Sequence, residues 1–368
     1  MRYFGRHVSG SGRQGRVDVS LPLEELTVPA MSESPRLTIG LPVYNGESLL
    51  PEAIDALLGQ SYEDFELVIS DNASTDGTAR ICRGYAEQDP RVRYIRQPLN
   101  IGLVANHNFL VGQARGEFFK WASHDDLYAR DYLRVCVGAL DENPDAVLAH
   151  AWCAVIDENR DLIRWSGYPE ATASPRATER FRAMLFDGKG DWTYAVYRTS
   201  VLRRTPLHAT YHGGDRTMIT ELALHGRLLQ VPEWMFFRRD HPGQHQGTRQ
   251  WSAVYDPGRA SRLRNPAIRL YAEYVWGFVA AVRRVPMPGT DKRECYGHLA
   301  RWLVSRAFPV NQPGLPVSLR HQPVIYLARR LTGLFLPGSG GLITAEPATS
   351  ARPDIHVDDL VPGRKVRK

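Results

Sequence analysis

Two adjacent carboxylates, Asp125 and Asp126, follow the short, mostly apolar stretch Glu117 to Ala122. If that stretch is a strand of an open α/β sheet, the pair sits where such sheets bind ligands, at a strand's carboxyl end. Carboxylate oxygens there can hold a divalent cation, and the cation can grip a diphosphate. A plainer reading exists: Asp before a helix is a common N-cap, and Asp126 or Asp131 could start the next helix. Polar groups recur at corresponding points upstream. Asn45 and Glu47 follow the apolar run Leu37 to Val43, and Asp71 follows Phe65 to Ser70. Turn chemistry accounts for any one of these groups, and less comfortably for all of them together.

The elements that must position these residues alternate. The spacing predicts a strand over 37–43, a helix over 49–58, a strand over 65–70 and a helix to about Gln88. A strand over 92–95 follows, then a helix ending near Ala114 and the strand before Asp125. Strand and helix in alternation give a parallel sheet with helices on both faces, which gathers the polar turns at one rim. A dinucleotide-binding domain would carry GxGxxG after its first strand; here the turn reads PVYNGES, which removes most support for oxidoreductase chemistry. The same turn lacks the Lys or Arg of a phosphate loop, which counts against nucleotidyl transfer.

Composition sets the bounds. The chain has 368 residues, 43% hydrophobic and 23% charged, which suits a globular protein with a sizeable core. No window approaches the roughly 18 apolar residues of a membrane span, and no apolar h-region marks a signal peptide near the N-terminus. Cys82, Cys136, Cys153 and Cys295 are scattered without CxxC spacing, against a zinc site or a disulfide scaffold and in keeping with a reducing cytosol. The net charge of +6 is uneven: residues 1–258 hold 28 Lys+Arg against 33 Asp+Glu, and residues 259–334 hold 13 against 3. That basic segment suits an anionic membrane surface or a phosphorylated lipid. Nucleic acid is not the expected partner, for no recognisable motif accompanies the charge.

The stretch LPVYNGESLLPEAIDALLGQSYEDFELVISDNASTDGT resembles the start of a family 2 glycosyltransferase with the GT-A fold. NIGLVANHNFLVGQARGEFFKWASHDDLY is similar to its continuation, and GGDRTMITELALHGRLLQVPEWMFFRRDHPGQ to its acceptor-side segment. The resemblance covers roughly residues 36 to 245. It implies an α/β, GT-A, Rossmann-like and mostly parallel sheet, followed by a C-terminal helical extension. Pro42, Tyr44 and Glu47 would line the nucleotide pocket, and Asp71 would accept a hydrogen bond from the base, which favours a UDP- or dTDP-sugar. Asp125 would contact the ribose or a metal-bound water, and Asp126 would bind Mg2+ or Mn2+. His124 stands where many members have the first carboxylate of an Asp-x-Asp triplet. Asp215 matches the catalytic base. Gly213 and Gly214 before it permit close backbone approach, while an N-cap is the alternative reading. His241 would contact the metal or diphosphate, against the plainer alternative of a surface-loop histidine. Trp121, Trp192 and Trp234 are candidate sugar platforms or core residues.

The implied reaction is metal-dependent, inverting transfer of a sugar from a nucleotide-sugar to a hydroxyl acceptor, a glycan or a lipid-linked one. Cell-envelope polysaccharide, glycolipid or secondary-metabolite glycan synthesis would use it. The alternatives are a nucleotide-sugar or glycan-binding protein without catalysis and a nucleotidyltransferase. Residues 1–35 read as a disordered extension, 36–258 as the catalytic domain, 259–336 as basic helices and 337–368 as a disordered tail. The basic helices, at 268–284, 294–306 and 324–335, read as a cap on the catalytic domain or as a dock on anionic membrane. The expected location is the cytoplasm, with peripheral contact at the inner face of the plasma membrane as the second reading.

Overall fold

In the computed structural model of the chain, the described residues are 34–166, 170–187, 190–211, 213–241, 266–307 and 355–362. Strands β1 (Leu37–Val43), β2 (Phe65–Asp71), β3 (Val92–Arg96) and β4 (Phe118–Trp121) alternate with helices α1 (Leu50–Leu58), α2 (Thr78–Gln88) and α3 (Leu103–Gln113). The strands lie in the order β3-β2-β1-β4 and pair parallel. β1 and β2 are buried along their whole length, as strands covered on both faces must be. The chain runs outward from β1 to β3, then returns to the other side of β1 as β4. That reversal is a switch point, and it opens a crevice at the carboxyl ends of β1 and β4.

Beyond β4 come β5 (Leu127–Tyr128), α4 (Tyr132–Glu142), β6 (Ala146–Ile156), β7 (Leu162–Ser166), α5 (Ala177–Asp187), β8 (Val196–Arg198), α6 (Thr199–Leu202), α7 (Gly214–His225) and β9 (Arg227–Arg239). The sheet continues β4-β8-β6-β9-β5, with β7 on β6. The longer ladders are parallel, as expected, and this half adds short antiparallel pairings. β4–β8, β8–β6, β6–β7 and β5–β9 pair antiparallel, and only β6–β9 is parallel. β8, three residues long, enters the sheet between β4 and β6 against the direction of both.

The basic region contains α8 (Pro266–Arg284) and α9 (Gly289–Ala307). Their apolar residues Tyr274, Phe278, Val282, Leu299 and Trp302 form a second core with Phe181 and Leu185 of α5 and Leu224 of α7. That face packs on α5 and α7, while Trp276 and Val304 stay exposed. The expected helix at 324–335 lies outside the described residues, as do residues 1–33 and 242–265. The expected disordered tail is corrected over 355–362: a helical turn, Val357–Leu360, buries Val357 and Val361 against Ala56 and Leu127. Two apolar residues four apart on one helical face supply the burial that the tail's composition concealed. Among the described residues no helix is long and apolar enough to cross a membrane. All four cysteines are free and buried.

Beneath the crevice, His208 stacks on His107 with ring centroids 5.3 Å apart and lies 4.6 Å from Trp121. Burial pushes both imidazoles down, His107 to about 3 and His208 to about 4. Both are neutral in the fold and take protons more readily once unfolded. Their contribution to stability is therefore full above about pH 6.5 and is lost as the pH falls toward the folded values. His208→Phe keeps a ring against Trp121 and removes one titrating group. The fall in melting temperature between pH 6.5 and 4.5 should be shallower in that variant. An unchanged fall would remove His208 from the acid lability.

Candidate active site

The carboxyl ends of β1, β2 and β4 bring the sequence-predicted residues to one rim. Pro42 is buried within β1 beside Ser70 of β2, while Tyr44 in the turn that follows is 45% exposed. Asn45 and Glu47 tie this turn to the one after β2. The Asn45 amide donates to Ser74 Oγ (2.9 Å), its Oδ1 accepts from the Thr75 amide (2.8 Å), and Glu47 Oε2 accepts from the Gly77 amide (2.6 Å). Glu47 thus braces the turn before α2 and leaves its side chain at the exposed edge of the rim.

Asp71 closes β2 with its carboxylate fully buried. Oδ1 accepts from the Ser74 amide (2.8 Å), and Oδ2 from Tyr94 Oη (2.8 Å) and Arg96 (2.7 Å). A base N–H would share Oδ2 with these donors or displace Arg96, whose side chain is 41% exposed.

At the end of β4 the two aspartates diverge. Asp126, 2% exposed, accepts the backbone amide of Arg239 on Oδ1 (2.9 Å). Asp125 instead meets His241, whose Nε2 lies 3.1 Å from Oδ2, and accepts from the Ser123 hydroxyl. Burial pushes the Asp125 carboxyl up, but His124, Ser123 and His241 outweigh it and hold it below the ordinary range. The expected division placed the metal on Asp126 with His241; the structure sets His241 against Asp125 and turns Asp126 toward the protein. His124 lies over the β1–α1 turn, its ring so close to Gly46 that a Cβ there would come within 2.7 Å.

Asp215 stands apart from this pair, in the first turn of α7. Gly213, at φ 78°, and Gly214, where a Cβ would fall 2.2 Å from the Ala209 carbonyl oxygen, make the tight entry that presents it. Thr193 Oγ1 lies 3.4 Å from its Oδ2. Tyr194 feels the charge of both carboxylate groups. Desolvation pushes its phenol up first, then the charges of Asp126, Asp125 and Asp215 push it further. Below it Lys120 is wholly buried. Its Nζ donates to the Tyr194 carbonyl oxygen and lies 4.0 Å and 4.4 Å from the ring centroids of Tyr128 and Tyr132. Burial pushes the Lys120 ammonium far below its ordinary range.

Trp121 and Trp192 are core residues, at 0% and 1% exposure, so neither is a sugar platform. Trp234, half-buried, packs edge-on against Trp152. Sequence reading did not find Lys120, Tyr194 or the partners of Arg239. A lysine in the apolar run Phe118-Phe119-Lys120-Trp121 was the available sign of a buried polar floor.

Residues 38–208 match the family model described as Glycosyl transferase family 2. The matched span contains every candidate residue of the nucleotide rim and ends before Asp215 and His241. A putative glycosyltransferase EpsE of Bacillus subtilis is 33% identical over 129 residues, 35% of this chain and 46% of that protein. A GalNAc(5)-diNAcBac-PP-undecaprenol beta-1,3-glucosyltransferase of Campylobacter jejuni is 25% identical over 191 residues, 51% of this chain and 60% of that one. The matches span from 14% to 60% of the curated relatives' lengths. Residues 1–349 of S. aureus TarS, solved in complex with UDP-GlcNAc, superpose with a TM-score of 0.54 at 17% identity, over 80% of this chain and 87% of that one. The strand order, the switch point and the superposition on TarS give the chain the GT-A fold, and residues 38–208 are similar to glycosyltransferase family 2.

Proposed function

We propose that this chain transfers a sugar from a nucleotide-diphosphate donor to a hydroxyl acceptor, with inversion at the anomeric carbon. The observation that supports this reading is the pair of carboxylate groups near Tyr194: Asp125 and Asp126 after β4, with Asp125 beside His241, and Asp215 in the first turn of α7, beside Thr193. Tyr44 and the Asp71–Arg96 pair would take the base and ribose side of the donor. Asp215 would accept the proton of the attacking hydroxyl, which general-base catalysis requires. Attack from the side opposite the leaving diphosphate gives inversion.

The Asp125–His241 pair fits a divalent cation. It offers one carboxylate oxygen and one imidazole nitrogen side by side, a donor set that suits Mn2+ and also admits Mg2+. Among the described residues no group of three or more His, Cys, Asp or Glu could hold a metal. Two protein ligands therefore imply a site completed by donor phosphate oxygens and water. When bound, a cation there would neutralise charge on the leaving diphosphate. Asp126 would anchor β5 to β9 rather than ligate. The UDP-GlcNAc complex of TarS supports a UDP-sugar donor, and the undecaprenol-linked substrate of the Campylobacter relative supports a lipid-linked acceptor.

Two tests follow from this division. Asp125→Asn should weaken Mn2+-dependent binding of UDP by at least about tenfold, read by thermal shift or calorimetry. Asp126→Asn still offers an acceptor to the Arg239 amide and should retain more of that binding. The reverse ranking would return the metal to Asp126. Asp215→Asn should leave nucleotide affinity within about twofold and lower transfer by roughly 10²- to 10⁴-fold. An active Asp215→Asn variant would assign the base elsewhere, and a parent chain that binds the donor without turnover would favour a binding protein.

A further inference from the structure

Arg239, 2% exposed, is the hub behind the aspartate pair. Its Nε donates to the Asp125 carbonyl oxygen (3.0 Å), its backbone amide to Asp126 Oδ1 (2.9 Å), and its Nη2 to Glu52 Oε2 (2.8 Å). Glu52, on α1, accepts on its other oxygen from Arg160 Nε (2.7 Å). Arg160 sits in the β6–β7 turn at φ 71°, a conformation that a non-glycine residue keeps only where its surroundings hold it. Its Nη1 donates to Asp358 of the docked segment 355–362.

The segment also reaches the site by packing. Val357 and Val361 are buried against Ala56 of α1 and Leu127, the residue after Asp126. The Leu360 carbonyl accepts from the Arg130 amide (2.8 Å), and Pro362 fills the space beside Gly59, where a Cβ would fall within 2.5 Å. The Asp358 side chain is 75% exposed, so its ion pair adds little by itself. Apolar burial holds the segment, and the ion pair reports its presence to Arg160.

We propose that residues 355–362 are a positioning strap for the donor site, setting Asp125 and Asp126 through Leu127 and through the chain Arg160, Glu52, Arg239. The strap touches no substrate; its effect is to hold the two aspartates in the geometry that a cation and a diphosphate need. This deepens the proposed function and rests on its assignment of the donor site.

The test uses the full chain carrying Val357→Asp and Val361→Asp. Hydrogen exchange over 355–362 confirms release of the segment, and exchange over 123–128 and 237–241 reads the aspartate pair. Calorimetry with UDP and with GDP, each with Mn2+, reads the site. The strap predicts faster exchange at both aspartate-side segments and roughly tenfold weaker nucleotide binding, the scale of losing a supporting partner of a metal ligand. A synthetic peptide of residues 353–364 added in trans should restore both. Arg160→Met, with the segment still docked, should weaken binding in the same direction. A released segment with unchanged exchange at 123–128 and 237–241 would overturn the strap. A parent chain that binds neither nucleotide would instead sink the donor-site reading, with the exchange data still deciding the strap.

Discussion

The site depends on burying one guanidinium. Taking Arg239 out of water costs several kcal/mol unless its donors are all met, and the protein meets them with Asp125, Glu158 and Glu52. Those partners come from the loop after β4, the loop after β6 and α1, so a single residue fixes three segments. The sheet decides where that residue falls. β9 pairs with β6 in parallel, and Arg239 lies opposite Ile156 at the end of the ladder. A slip of one residue would turn the side chain to the other face and present the wrong amide to Asp126. The long β6–β9 pairing therefore decides which partner each of the two aspartates meets.

The Asp215 side answers to a different constraint. Asp215 is presented by a left-handed glycine, and the Tyr274 ring of α8 lies so near Gly213 that a Cβ would come within 2.8 Å of it. Further along, Arg284 of α8 donates to Glu221 of α7, whose carboxyl burial pushes up while the arginine works against that. Part of the positive charge of the C-terminal region is thus spent inside the protein. Trp276, with Arg283 beside it, remains on the outside.

Much of this architecture was readable. Strands β1 to β4 and their helices follow hydrophobic periodicity, and parallel pairing sends their polar ends to one rim without further information. The mixed half was not readable, because β8 is three residues long and carries no period. Asp125 and Asp126 could be marked as a pair but not divided. Neighbours on the chain, they differ only in which partner each meets, and those partners lie 113 to 116 residues away. The segment 355–362 was taken as disorder because two valines among acidic residues resemble any polar tail until the groove that receives them is known. Trp121 and Trp192 illustrate the converse: aromatic residues suited to a sugar face are, here, filling.

The charge balance of the crevice bears on what it can hold. Asp125 and Asp215 bring carboxylates to it, Asp126 is buried behind them on the Arg239 amide, and two basic groups among the described residues are already committed. Arg239 is committed to Glu52, and Lys120 is sealed under Tyr194 where burial disfavours its charged form. A floor of buried aromatic rings keeps the dielectric low, so each uncompensated charge weighs more than it would in water. A diphosphate entering such a crevice would meet repulsion from the carboxylates and find Arg239 and Lys120 already engaged. Its neutralisation has to arrive with it or wait at the rim, where His241 and Asp125 stand side by side. A cation at that point would answer an electrostatic demand set by how the carboxylates are buried, as much as by which residues occupy the end of β4.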